Sequence, residues 1–189
     1  MLNLIIFGPP GAGKGTQAKM IADKLHLYHL SSGELLRQSA KNPEYNQEIN
    51  SYLDFGKLVP DELIIKLIAK DLETHFNNGG VVFDGYPRTL FQAKSLDNLF
   101  TDRGINPATV INLELEDKVA IERVMSRAEN SNRSDDRLEI VSERFKIYHE
   151  LTEPLLQYYK SKNRLITIDG RLNIETVNKN IEQKLKNHK

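Results

Sequence analysis

The sequence predicts an α/β fold in which a five-stranded parallel sheet carries helices on both faces. Three observations lead there. Short strand candidates alternate with amphipathic helical stretches, the first strand runs through a glycine-rich turn into a helix, and each strand is nearly all apolar. Strands that are apolar on both faces belong to parallel sheets covered from both sides. The 189 residues suffice for one such domain with a sizeable core and small insertions.

The chain opens on Leu4-Ile5-Ile6-Phe7, an apolar run that reads as a buried strand. Gly8-Pro9-Pro10-Gly11-Ala12-Gly13-Lys14-Gly15-Thr16 follows. Glycines there permit backbone angles other residues resist and leave no side chains between peptide N–H groups and a ligand. Ala18, Ile21, Ala22 and Leu25 then recur at helical spacing, so the turn ends at a helix N-terminus, an anion site to which Lys14 adds a compact positive charge. This is a P-loop, and it predicts binding of a nucleotide through its phosphates. The general pattern has Ser or Thr directly after the lysine; here Gly15 stands there and Thr16 follows.

Leu27 to Leu30 is the next strand candidate. Ser31-Ser32-Gly33-Glu34 signals a helix start, with a hydroxyl cap and an acidic first turn, and that helix runs to about Ala40. Asn42-Pro43 breaks it. Tyr45, Ile49, Tyr52 and Leu53 or Phe55 mark a second helix that stops at Gly56, and Pro60-Asp61-Glu62 opens a third carrying Leu63, Ile64, Leu67, Ile68 and Leu72. Three helices with no clear strand between them read as an excursion from the sheet. Val81-Val82-Phe83 is a buried strand ending at Asp84, Gly85 to Arg88 the loop beyond it, and Thr89 the cap of a helix through Leu99. Thr109 to Leu115 is a further strand, and a helix follows from Asp117 to about Ala128. Glu129 to Asp136 is wholly polar and reads as an exposed loop. An amphipathic stretch from Leu138 to about Tyr159 is expected to bend at Pro154. Arg164 to Ile168 is the last strand, Asp169-Gly170 a turn, and Ile174 to Leu185 the closing helix.

Composition narrows the function classes. Lys plus Arg and Asp plus Glu each number 26, so no net basic field gathers nucleic acid, which is not an expected partner. No apolar run approaches the roughly 20 residues of a membrane span. Without cysteine there is no disulfide, thiol nucleophile or cysteine-ligated zinc. A soluble cytoplasmic protein is expected.

In open parallel sheets ligands bind beyond the carboxyl ends of the strands. That places Gly8 to Thr16, Ser32, Asp84 to Arg88 and Asp169-Gly170 on one rim. Asp84 suits a magnesium ion, directly or through water; the plainer reading is an Asp that holds the tight turn into Gly85, and both can hold at once. Arg88 lies on the same rim with a guanidinium fork that matches phosphate oxygens. Arg123 and Arg127 share a helix face, Arg133 sits in the polar loop, and Arg144 on the next helix. Singly, each reads as a solvated surface arginine. Together with Arg37 they flank the loop where a closing segment would need cations against a polyphosphate.

The runs GPPGAGKGTQ, LSSGELLR, GKLVPDEL, DGYPRT followed by Gln92, NRSDD and the closing IDG resemble, in order and spacing, the short-lid adenylate kinases. In that family Gly-Thr also follows the lysine. The resemblance implies one P-loop kinase domain over residues 1–189, with a nucleoside-monophosphate-binding insertion at 31–60 and a short lid at 128–137. It implies reversible transfer of the ATP γ-phosphoryl group to AMP, giving two ADP, with magnesium and no zinc, in a monomer. Gly11, Ala12, Gly13, Lys14, Gly15 and Thr16 would hold ATP phosphates. Arg123 and Arg127 would meet ATP, and the backbone near Leu172 its adenine edge. Arg37 and Arg88 would clamp the AMP phosphate within the Gly85-Tyr86-Pro87-Arg88 loop. Ser32, the backbone around Leu58 and Val59, and Gln92 would hold the AMP nucleoside. Arg133 and Arg144 would bridge the transferring group, Asp135 and Asp136 would orient or hinge the lid, and Asp84 would hold magnesium through water. Asn132 stands where relatives usually have glycine, Tyr86 replaces a commoner phenylalanine, and Arg137 has no specific role. The neighbouring reading is a UMP/CMP kinase, against which Gln92 carries most of the weight. A P-loop switch without turnover is the more distant alternative, and it would not need two phosphate-arginine clusters.

Overall fold

The sheet is five-stranded and entirely parallel, in the order β2-β3-β1-β4-β5. The computed structural model describes residues 1–75, 79–130 and 138–187. The strands are β1 (Leu4–Phe7), β2 (Tyr28–Ser31), β3 (Val81–Asp84), β4 (Thr109–Glu114) and β5 (Leu165–Asp169). Between them run α1 (Lys14–Leu25), α2 (Ser32–Ser39), α3 (Pro43–Leu53), α4 (Asp61–His75) and α5 (Leu90–Asp102). After β4 come α6 (Asp117–Asn130), α7 (Leu138–Ile147), α8 (Pro154–Ser161) and, beyond β5, α9 (Ile174–Asn187).

The strand period of two divides each apolar run between two cores. Ile5, Phe7, Val81, Phe83 and Val110 face a cluster that includes Ile64 and Leu72 of α4, Leu96 of α5 and Tyr159 of α8. Leu4, Ile6, Val82, Ile111 and Leu113 face the opposite cluster, with Ile21 of α1, Val124 of α6 and Ile181 of α9. A strand feeding two cores has no solvent face, which is why these strands read as continuous apolar runs. At the sheet edge this relaxes: Thr167 in the middle of β5 is exposed.

The order also positions the site. From the centre of the sheet β1 connects onward to β2 on one side, while β3, its neighbour, connects to β4 on the other. The crevice between such oppositely directed connections is where open α/β sheets bind ligands. Register puts Ile6 opposite Asp84 and Ser31 opposite Asp84 in turn, so three strand ends meet there.

Two local expectations need correction. Ser31 precedes α2 but makes no side-chain cap bond; Ser32 inside the helix instead donates across to Gly85 O at 2.7 Å. The stretch expected to bend at Pro154 is interrupted just before it, by a π-helical turn at Tyr148–Thr152. Proline has no N–H to give the carbonyl four residues back. The neighbouring Glu153 N–H reaches five residues, to Tyr148 O at 2.8 Å, and the ladder widens. Among the described residues no helix is long and apolar enough to cross a membrane.

Candidate active site

Two adjoining cavities open on the rim. The first, about 390 Å3, is lined by Gly11, Gly13, Lys14, Gly15 and Thr16 of the P-loop, with Asp84, Arg127 and Tyr148. The second, about 210 Å3, is walled by Leu36, Leu58, Val59, Ile64, Tyr86 and Gln92. Ser32, Arg37, Gly85, Arg88 and Arg144 belong to both walls. One cavity therefore has a phosphate-binding turn, the other an apolar flank with one amide, and arginines stand between them.

Each cation arrives from a different element. Lys14 begins α1 and donates to Gly8 O and Pro9 O, both at 2.8 Å. Arg37 ends α2, Arg88 follows β3, Arg127 closes α6 and Arg144 lies on α7. Burial lowers the Lys14 ammonium to about 7; Asp84 pulls it up, while Arg88, Arg144 and Arg127 push it further down. A lysine held near neutrality by burial and like charges is the signature of a pocket built for an anion. Arg88 is steered by its own loop, Nε donating to Gly85 O at 2.8 Å. The loop is fixed in turn by Thr152 of the π-helical turn, whose hydroxyl donates to Arg88 O at 3.0 Å. Such turns recur at functional sites.

Asp84 is the acidic member. Burial raises its carboxyl, but the imidazole of His29, Lys14 and Arg88 outweigh that and hold it below the usual carboxylate range. His29 Nε2 stands 3.8 Å from Asp84 Oδ2, beyond a hydrogen bond. A Cβ on residue 15 would come within 3.2 Å of that same Oδ2, which gives glycine a reason to follow the lysine: it leaves room beside the carboxylate. An ionised, half-buried oxygen donor with space for water fits a magnesium ion, which keeps several waters when bound.

At Gly85 the demand for glycine is stricter. Its φ is +75°, and a Cβ would meet Ser32 Oγ at 2.8 Å and an Arg88 guanidinium nitrogen at 3.0 Å. Gly85→Ala is expected to destabilise the fold by about 1–2 kcal/mol. The check is a lower denaturant midpoint at unchanged slope.

Most of the residues singled out from sequence converge here, but not all. Ala12 packs into the core instead of lining a cavity. Arg123 donates to Gly170 O at 2.8 Å and Arg171 O at 3.1 Å, shaping the turn that precedes Leu172; neither Arg123 nor Leu172 lines the two cavities. Arg133, Asp135, Asp136 and Arg137 lie outside the described residues, as does Asn132. Among the described residues no group of three or more His, Cys, Asp or Glu is arranged to hold a metal. Sequence reasoning missed Tyr148 and Thr152, for which Pro154 was the only local signal, and Asp61, whose partners are distant in the chain.

A parallel sheet with a P-loop on its rim, facing a second cavity across shared arginines, defines a P-loop nucleotide-binding protein with room for two ligands. Comparison with known proteins narrows this. The family model described as adenylate kinase matches residues 6–164. The adenylate kinase of Parabacteroides distasonis is 40% identical over 190 residues, covering all of both chains. That of Azobacteroides pseudotrichonymphae is 40% identical over 99% of this chain and 98% of its own. One from Cyanothece sp. is 43% identical over 90% of this chain and 88% of its own. The chain belongs to the adenylate kinase family.

Proposed function

We infer that the chain transfers the γ-phosphoryl group of ATP to AMP, reversibly, giving two ADP. The observation that carries this is the pair of adjoining cavities sharing Arg37, Arg88 and Arg144. Two nucleotides seated on either side of those arginines bring donor and acceptor phosphates together, with charge supplied where the transferring group passes.

In this reading Gly11 to Thr16 hold the ATP phosphates, and Lys14 the transferring group. Arg37 and Arg88 clamp the AMP phosphate, while Ser32, Leu58, Val59 and Gln92 surround its nucleoside. Arg127 and Arg144 reach phosphate from the other side; Arg123 acts through the turn it braces beside Leu172. Asp84 would hold magnesium, through water, and the ion would supply neutralising charge to the phosphates. Arg133 and the aspartate pair belong to a short lid at 128–137, and residues 31–60 form the acceptor-binding insertion. The chemistry needs position and charge more than a covalent intermediate. Closure of both segments would exclude the water that otherwise competes as acceptor. Every residue assigned here comes from one chain, which supports a monomer, and the reading includes a cytoplasmic location.

The test is coupled ADP formation from ATP with AMP, UMP, CMP or no acceptor. AMP is expected to give the highest kcat/KM. A preference for UMP or CMP would make the chain a pyrimidine enzyme, and no ADP with any acceptor would make it a switch.

A further inference from the structure

Gln92 is 2% exposed, and both ends of its amide are already engaged. Its Nε2 donates to Asp61 Oδ1 at 2.6 Å, and its Oε1 accepts from Arg88 N at 2.7 Å. Asp61 opens α4 and does not line either cavity. Its other oxygen accepts from Thr89 Oγ1 at 2.7 Å.

These partners differ in kind from most amide neighbours. A carboxylate only accepts, and a backbone N–H only donates. Turning the Gln92 amide over would set oxygen against carboxylate and NH2 against N–H, losing two bonds and creating two repulsive contacts. The orientation is therefore determined by its neighbours' chemistry. After both bonds, Gln92 retains one N–H and one lone pair at the wall of the second cavity.

We propose that Asp61 is a positioning residue that locks the Gln92 amide in one orientation and so makes the acceptor site select a 6-amino over a 6-oxo purine. This rests on the reading of the second cavity as the acceptor-base site. A 6-amino purine presents a ring-nitrogen acceptor beside an amino donor, which pairs with the spare N–H and lone pair together. A 6-oxo purine presents the reverse, donor at the ring nitrogen and acceptor at O6, so both contacts clash unless the amide turns. Buried polar groups left unpaired are what give hydrogen-bonding pockets their selectivity. A carboxylate outside the pocket thus sets what the pocket reads.

The experiment measures kcat/KM for AMP and for IMP with ATP fixed, in wild type, Asp61→Asn and Thr89→Val. The ratio of the two is independent of the fraction of enzyme folded. In Asp61→Asn the new side-chain amide can turn together with that of Gln92 and pair with either orientation on that side, leaving only the Arg88 N–H to oppose the turned amide, so the AMP:IMP ratio is expected to fall about tenfold. Thr89→Val removes the Asp61–Thr89 bond and the α5 cap, where Gln92 N donates to Thr89 Oγ1, but leaves the carboxylate facing Gln92. It is expected to lower Tm and leave the ratio unchanged. An unchanged ratio in Asp61→Asn overturns the lock. So does an equal fall in Thr89→Val, which would mark a merely structural role. A wild type that uses AMP no better than IMP, or not at all, overturns the reading of the acceptor site itself and the lock with it.

Discussion

Arg88→Ala is expected to lower turnover with ATP and AMP by about 10³–10⁵-fold, the scale on which an arginine stabilises a phosphoryl-transfer transition state. It should shift Tm by no more than about 2–4 °C. The two effects separate because two bonds that brace this loop belong to the Arg88 backbone. Arg88 N donates to Gln92 Oε1 and Arg88 O accepts from Thr152, and alanine keeps both. What alanine removes is the guanidinium on the wall shared by both cavities, together with its bond to Gly85 O. That guanidinium is also one of the like charges bearing on Lys14, so its loss relieves repulsion in the empty site. Arg88→Lys should recover only part of the rate, since a point charge cannot replace a fork that binds two oxygens at once. The measurements are coupled ADP formation and thermal unfolding by circular dichroism. Near-normal turnover in the alanine variant would place the transferring phosphoryl group elsewhere. A collapse of Tm matching the activity loss would make Arg88 structural.

The contrast between that side chain and its backbone shows what sequence could and could not disclose. The strands were legible because each is an apolar run with both faces buried, and the P-loop because strand, glycines, lysine and helix lie in one short stretch. Asp84 and Arg88 were legible as rim residues, since any strand end in a parallel sheet points to the same side. Which core each strand residue feeds needs the alternation of Ile5 and Phe7 against Leu4 and Ile6, and that follows once the sheet exists. Partners across the fold were not legible. Asp61 meets Gln92 31 residues away, and Thr152 meets Arg88 64 residues away. No local periodicity encodes such pairs, because they depend on how α4 and the π-helical turn are brought against the loop after β3. Ser32 illustrates the same limit. Its position suggested a helix-start hydroxyl, while its hydroxyl is used across the rim at Gly85 O.

The P-loop lysine yields the other large effect. Lys14→Met, which keeps an unbranched side chain one atom shorter and removes its charge, is expected to cost about 10²–10³ in kcat/KM, as loss of one preorganised charge-stabilising donor does. The same residue gives the wild type a pH signature. In the empty site the ammonium is held to about 7 against an ordinary value of 10.5, chiefly by burial. Between those values the unfolded chain binds a proton that the folded chain does not, so stability of the empty protein rises with pH across this window. Below about 7 the folded protein must carry the buried charge, and the full cost of doing so is present. ATP reverses the balance: its phosphates surround the ammonium with negative charge and restore its affinity for the proton. Binding at pH 8 should therefore take up close to one proton per site, and at pH 6 almost none through this group. Calorimetric titration of ATP in buffers of different ionisation enthalpy reads that number directly. Lys14→Met should abolish the difference between the two pH values while leaving the fold intact. A wild type whose proton uptake at pH 8 equals that of the variant would mean Lys14 is already charged in the empty site, and that burial and the surrounding arginines do not act on it as the geometry requires.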